Sequence, residues 1–188
     1  MPESVAIETG AKVNICLEIL GRRSDGYHEL RSLFAPVSSP SDTLHLSPLP
    51  PGGGFRLSCS LQELEGGQNI LHSAYEAFSS VTGSRPDFEA HLEKGIPAGS
   101  GLGGASADAA ALLSWMNNRL PEEARLGYRA LSEVAASVGS DVPFFLLGRT
   151  ALVTGAGEKV APASVAPRLE GLLIVCPDIA VSTAWAYG

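Results

Sequence analysis

Pro97-Ala98-Gly99-Ser100-Gly101-Leu102-Gly103-Gly104-Ala105-Ser106-Ala107 lies between an apolar run that reads as a strand and an alanine-rich run that reads as a helix. Four glycines and two serines in so short a stretch leave the backbone free to bend around an anion and turn its N–H groups toward it. The following helix adds the positive end of its dipole. The spacing nearly reproduces the phosphate loop Gly-x-x-x-x-Gly-Lys-Ser/Thr, but Ala105 stands where the lysine belongs. The stretch therefore reads as a phosphate cradle whose cation comes from another part of the chain.

The chain around it is that of an ordinary globular protein. Its 188 residues suffice to bury a real core, and 45% hydrophobic with 18% charged residues is a usual balance. A net charge of −7 argues against nucleic acid or an anionic membrane as partner, although a local field can still hold a nucleotide. Cys16, Cys59 and Cys176 are odd in number and show no paired spacing, so reduced thiols and a cytoplasmic location are expected, with Cys16 in the core. The histidines His28, His45, His72 and His91 lack metal-ligand spacing, and no protein-borne metal site is expected. No signal core and no run of membrane-spanning length is present in the sequence.

Before the loop, residues 12–20 alternate as a strand, with Val13, Ile15, Leu17 and Ile19 on one face and Lys12, Asn14, Cys16 and Glu18 on the other. Asp25-Gly26 closes a polar turn. Further strands are expected over 27–37 (ending at Pro36), 43–47 and 55–60. Asn69 suits the cap of a helix whose apolar stripe is Ile70, Leu71, Ala74, Ala77, Phe78 and Val81. A strand over 88–93 leads into the glycine loop and a helix over 104–118. The next helix carries Leu131, Val134, Ala135 and Val138 on one stripe and stops at Gly139. Strands over 150–154 and 172–176 follow, with Pro162 and Pro167 in the linker. Strands and helices mix without regular alternation, which points to an α+β fold.

Several residues carry two readings. Gly99, Gly101 and Gly104 also fit a dinucleotide fingerprint, but no acidic residue follows on a second strand at the required distance, which weakens a nicotinamide-dependent oxidoreductase. Lys12 at a strand start is commonly just solvated; with Asn14 on its face, the two can address a ligand jointly. Asp141, in Gly139-Ser140-Asp141-Val142-Pro143-Phe144-Phe145, is either a turn residue or a base placed to take a hydroxyl proton. Asp25-Gly26-Tyr27-His28 is an ordinary strand entry or a clamp for a planar ring, stacking on Tyr27 and bonding to His28.

Taken in order, the run Ala11-Lys12-Val13-Asn14-Ile15-Cys16-Leu17-Glu18-Ile19-Leu20-Gly21-Arg22-Arg23-Ser24-Asp25-Gly26-Tyr27-His28-Glu29-Leu30, the glycine loop and the segment from Gly139 to Phe145 resemble the GHMP kinase superfamily. The resemblance implies an amino-terminal domain over 1–165, a ribosomal-protein-like two-layer α/β sandwich. It implies only the start of a ferredoxin-like carboxy-terminal domain over 166–188, because it stops at Gly188 with most of that domain absent. It also implies ATP-dependent phosphorylation of a small-molecule alcohol. Within the superfamily the branch most resembled acts on the 2-hydroxyl of a cytidine diphosphate-linked methylerythritol, in the non-mevalonate route to isoprenoids.

By motif, Asp141 and Lys12 match the catalytic pair, and Asn14, Tyr27, His28 and Tyr187 match substrate-binding positions. Pro97, Gly99, Ser100, Gly101, Leu102, Gly103, Gly104, Ala105 and Ser106 match the ATP phosphate loop, while Asn69 and Lys94 match positions near the adenosine. Mg²⁺ is expected to ride on the ATP phosphates, since the sequence offers no cage for it. The chain is also readable as a nucleotide-binding remnant without catalysis, or as another kinase of the superfamily.

Overall fold

A computed structural model of the chain describes residues 4–24, 26, 28–164 and 171–177. The sequence opens as a long antiparallel ribbon: β1 (Val5–Arg22) pairs with β2 (His28–Pro48) from Val5↔Leu46 to Arg22↔His28. Two expected strands, over 27–37 and 43–47, are thus one. Pro36 does not end it because β1 continues opposite, with Lys12 paired to Pro36, and a missing N–H costs little where the other edge is open.

That other edge of β2 is shared by two strands. β5 (Ala151–Gly155) covers Leu30 to Phe34, and β4 (Phe88–Glu93) covers Thr43 to Pro48. Between them, residues 35–42 have no strand partner on this edge among the described residues. β3 (Phe55–Cys59) adds to β4 in parallel and β6 (Lys159–Pro162) to β5 antiparallel, giving the six-stranded order β3-β4-β2-β5-β6 with β1 on the far side of β2. One parallel pair in an otherwise antiparallel sheet leaves no doubly wound crevice for a dinucleotide.

Helices α1 (Ile70–Thr82), α2 (Gly104–Arg119) and α3 (Tyr128–Val138) cover one face of the sheet. Leu44, Leu46, Phe88 and Leu92 from the strands meet Leu71 and Phe78 of α1, Leu112, Leu113 and Met116 of α2, and Leu131 and Val134 of α3. This is the two-layer arrangement expected of an α+β fold. A short α4 (Val142–Leu147), unexpected from the sequence, starts directly after Asp141 and plants Phe144 against Leu30, Phe34 and Val153.

Three further expectations need correction. A register shift between Asn14 and Cys16 interrupts the alternation of β1, so Leu17 pairs with Ser32 and Ile19 with Leu30, on the face that Asn14 shares with Phe34. Cys16, opposite Leu33, is turned outward and exposed rather than in the core. Residues 172–176 form no strand: they have no ladder partner among the described residues, and Leu173 and Val175 are exposed. Only Ile174 packs, on the cluster of Ala11, Ile96 and Leu102.

Candidate active site

The glycine loop leaves β4 and enters α2 with Gly99, Gly101 and Gly103 at φ +72°, +75° and +78°. No residue other than glycine has positive φ among the described residues, so left-handed and ordinary backbone alternate along the loop. Alternation of this kind turns successive N–H groups into one concavity. Gly103 is the cap of α2 and offers no side-chain acceptor, so the first-turn N–H groups of Gly104, Ala105 and Ser106 have no intrahelical partner and open outward. The loop, this first turn, Leu64 and Lys94 enclose a cavity of about 300 Å³. Such a surface suits phosphate oxygens.

The loop is fastened to β1. The main-chain N–H of Lys12 donates to the Leu102 carbonyl at 2.8 Å, and the Leu102 side chain is buried with Ala11 and Ile96. Leu102 therefore serves as an anchor, while Pro97, Gly99, Ser100, Gly101, Gly103, Gly104, Ala105 and Ser106 border the cavity. A Cβ on Gly103 would stand 2.9 Å from Phe145 Cζ and 3.0 Å from Lys12 Cγ. The stem of Lys12 thus lies directly against the loop.

The Lys12 ammonium is 3.6 Å from Asp141 Oδ2, and its side chain is 8% exposed against 27% for the carboxylate. It donates to Asn14 Oδ1 at 2.8 Å and sits 4.7 Å from the centre of the Phe34 ring. Asn14 Nδ2 donates to Ser32 Oγ at 3.0 Å, and Ser32 Oγ donates to the Cys16 carbonyl at 2.6 Å. The bulge therefore presents a carbonyl that the buried Ser32 satisfies, and the chain of bonds fixes the amide that orients Lys12. Burial lowers the Lys12 pKa below its usual 10.5, and the Asp141 carboxylate opposes that shift. The result is a desolvated cation beside a half-exposed carboxylate at the rim of an anion cradle.

The remaining expected residues fall at different distances from this centre. His28 begins β2 opposite Arg22, at the far end of the ribbon. Asn69 caps α1 by accepting from Leu71 N at 3.0 Å and donates to the Leu64 carbonyl at 2.8 Å, which places it behind the cavity wall. Lys94 borders the cavity, but its ammonium is bound to the carboxylates of Asp42 and Asp108 and its side chain is 5% exposed. Tyr27 and Tyr187 lie outside the described residues. No group of three or more metal-ligating side chains comes together among the described residues.

Sequence reasoning passed over Ser32, Phe34, Asp42, Asp108 and Phe145. Ser32 had a signal, a polar residue between Leu30 and Phe34 on an inward-facing row. Asp42 had none, since Ser-Pro-Ser-Asp reads as a turn rather than as the interior of a strand.

The site's surroundings match known proteins. The profile of the GHMP kinases N terminal domain matches residues 69–149. The 4-diphosphocytidyl-2-C-methyl-D-erythritol kinase of Solidesulfovibrio magneticus is 43% identical over 187 residues, covering 98% of this chain and 62% of that protein. That of Geobacter sulfurreducens is 36% identical, covering 98% of this chain and 65% of that protein. A crystal structure of 4-(cytidine 5'-diphospho)-2C-methyl-D-erythritol kinase superposes with a TM-score of 0.72 at 37% identity, over 86% of this chain and 56% of that one. A mevalonate diphosphate decarboxylase from Legionella pneumophila, at 15% identity and a TM-score of 0.66 over 98% of this chain and 62% of that one, shares the fold. The chain spans less than two thirds of the length of these relatives.

Proposed function

Because the chain belongs to the GHMP kinase superfamily, we propose that it is the ATP-binding and catalytic part of a kinase acting on the 2-hydroxyl of 4-diphosphocytidyl-2-C-methyl-D-erythritol. Residues 1–165 make up that part in this reading, and 166–188 begin a second domain. The single observation that carries it is the convergence of Lys12 and Asp141, from distant parts of the sequence, beside the glycine loop.

Phosphoryl transfer asks mainly for positioning and charge neutralisation. ATP supplies the phosphoryl group, with Mg²⁺ entering on its phosphates. The N–H groups of the loop and of the first turn of α2 hold the phosphate oxygens in place. Asp141 accepts the proton of the attacking hydroxyl, and Lys12 offsets negative charge at the reacting oxygens. Asn14 holds the Lys12 ammonium on its line, with Ser32 behind it. Leu17, Leu30 and Phe34 line the same face of the ribbon and bound the alcohol's side of the site. His28, Tyr27 and Tyr187 are assigned to the cytosine in this reading. The reading places the chain in the cytoplasm.

The test is ADP release by the purified chain with ATP, Mg²⁺ and the cytidine diphosphate-linked alcohol. Saturable turnover that needs both substrates supports the kinase. Nucleotide binding without turnover identifies a binding remnant instead.

A further inference from the structure

Residues on either side of the glycine loop converge on one buried carboxylate. Asp42 is fully buried, in the stretch of β2 left open between β4 and β5. Its Oδ1 accepts from Gly95 N at 2.7 Å and from Ile96 N at 2.8 Å, where the chain enters the loop. Its Oδ2 takes the Lys94 ammonium, which also donates to Asp108 Oδ2 at 3.1 Å, in α2, beyond the loop. Thr9 of β1 donates to Asp108 Oδ1 at 2.6 Å and closes the cluster.

Two glycines fit around this carboxylate. A Cβ on Gly104, the first residue of α2, would lie 3.0 Å from Asp42 Oδ2 and 3.0 Å from Ile96 Cβ. A Cβ on Gly95 would collide with the Ser41 carbonyl. Neither glycine has positive φ, so close packing against this corner, rather than backbone conformation, accounts for their small size.

We propose that Asp42 is a positioning residue for the anion cradle, holding the glycine loop at its entry through Gly95 and Ile96 and at its exit through Lys94 and Asp108. The inference rests on the reading of the loop as a phosphate site. Charge-assisted bonds at both ends are stronger than neutral ones, and they fix the ends of a segment whose glycines would otherwise leave it many conformations. Lys94, on this account, spends its charge on the scaffold and acts on a nucleotide through the loop.

The test compares the unmodified chain, Asp42→Asn and Asp87→Asn. Asp87 is a control of the same kind, since its carboxylate accepts from Gly52 N and Gly54 N in a loop away from the cradle. ADP affinity is read by calorimetry and loop order by amide hydrogen exchange. Asp42→Asn is expected to weaken ADP binding about tenfold and to speed exchange over 95–106, whereas Asp87→Asn leaves ADP affinity unchanged. Equal ADP affinity of Asp42→Asn and the unmodified chain overturns the proposal alone. Failure of the unmodified chain to bind ADP overturns the phosphate reading and the proposal with it.

A measurement on the unmodified chain covers the case in which Asp42→Asn does not fold. Gly95 and Ile96 are expected to exchange slowly without nucleotide, and Gly99 and Gly101 to exchange fast until ADP slows them. Gly95 and Ile96 exchanging as fast as Gly99 shows that no clamp exists.

Discussion

The main-chain N–H of Lys12 donates to the Leu102 carbonyl at 2.8 Å, so the strand that supplies the site's cation also holds the glycine loop. Cradle and cation are one mechanical unit. Between them stands Gly103, whose missing side chain makes room for both Lys12 Cγ and the Phe145 ring.

Gly103→Ala should therefore do more than strain the backbone. A left-handed alanine costs roughly 1–2 kcal/mol by itself. Gly52, at φ +85° with nothing within 4 Å of a Cβ, measures that strain without a collision. Gly52→Ala is expected to lose stability and keep ADP affinity, and Gly103→Ala to lose both, as urea unfolding and ADP titration would read. If the two substitutions behave alike, Gly103 serves the turn and not the site.

Lys12→Met and Asp141→Asn separate chemistry from packing. Burial already disfavours the charged form of Lys12, so a methionine of similar length keeps the packing while removing the ammonium. Each substitution is expected to lower turnover by roughly 10²–10⁴-fold with ADP binding retained, read by ADP release alongside thermal unfolding. A Lys12→Met chain that melts earlier and turns over normally per folded molecule would assign the lysine to the core.

The bulge in β1 makes a prediction about thiols. Cys16 and Cys176 are exposed and Cys59 is buried among Leu92 and its neighbours. Ellman's reagent should modify Cys16 in the native protein at the rate of an open thiol and reach Cys59 only in denaturant. Protection of native Cys16 would mean that the strand keeps strict alternation and the register shift is absent.

That bulge also marks where sequence reading runs out. Helix stripes are legible because their period repeats over several turns: Leu131, Val134, Ala135 and Val138 of α3 all join the core, as does the α1 stripe apart from Val81, which is exposed. The strand 88–93 was equally plain, its buried and exposed residues alternating without a break. In β1 an extra residue reverses which side the side chains from Cys16 to Ile19 face, up to the next register shift before Gly21, and nothing local in Asn14-Ile15-Cys16 announces it. The glycine loop, Lys12 and Asp141 were visible as residue types with a chemistry to perform. Their supports were not, because Ser32, Asp42 and Asp108 gain their meaning only from partners far along the chain.

Asp108 gives the cluster beneath the loop a pH signature. Burial is the largest influence and raises its pKa from 3.8 to about 6, against the pull of Lys94 and of the hydrogen bond from Thr9. A carboxyl whose folded pKa lies above its unfolded value holds its proton more tightly in the native state. Its contribution to stability is complete below pH about 4 and is lost as the pH rises through about 6. Asp108→Asn removes that titration. The stability of the unmodified chain relative to Asp108→Asn, from urea unfolding at pH 4.5 and pH 7.5 (working values on either side of about 6), should therefore be greater at the lower pH. The direction is opposite to that of a carboxylate stabilised by its ion pair, whose contribution grows as the pH rises. A difference that does not change between the two conditions, or that grows at the higher one, would show that the Lys94 ammonium outweighs burial at Asp108.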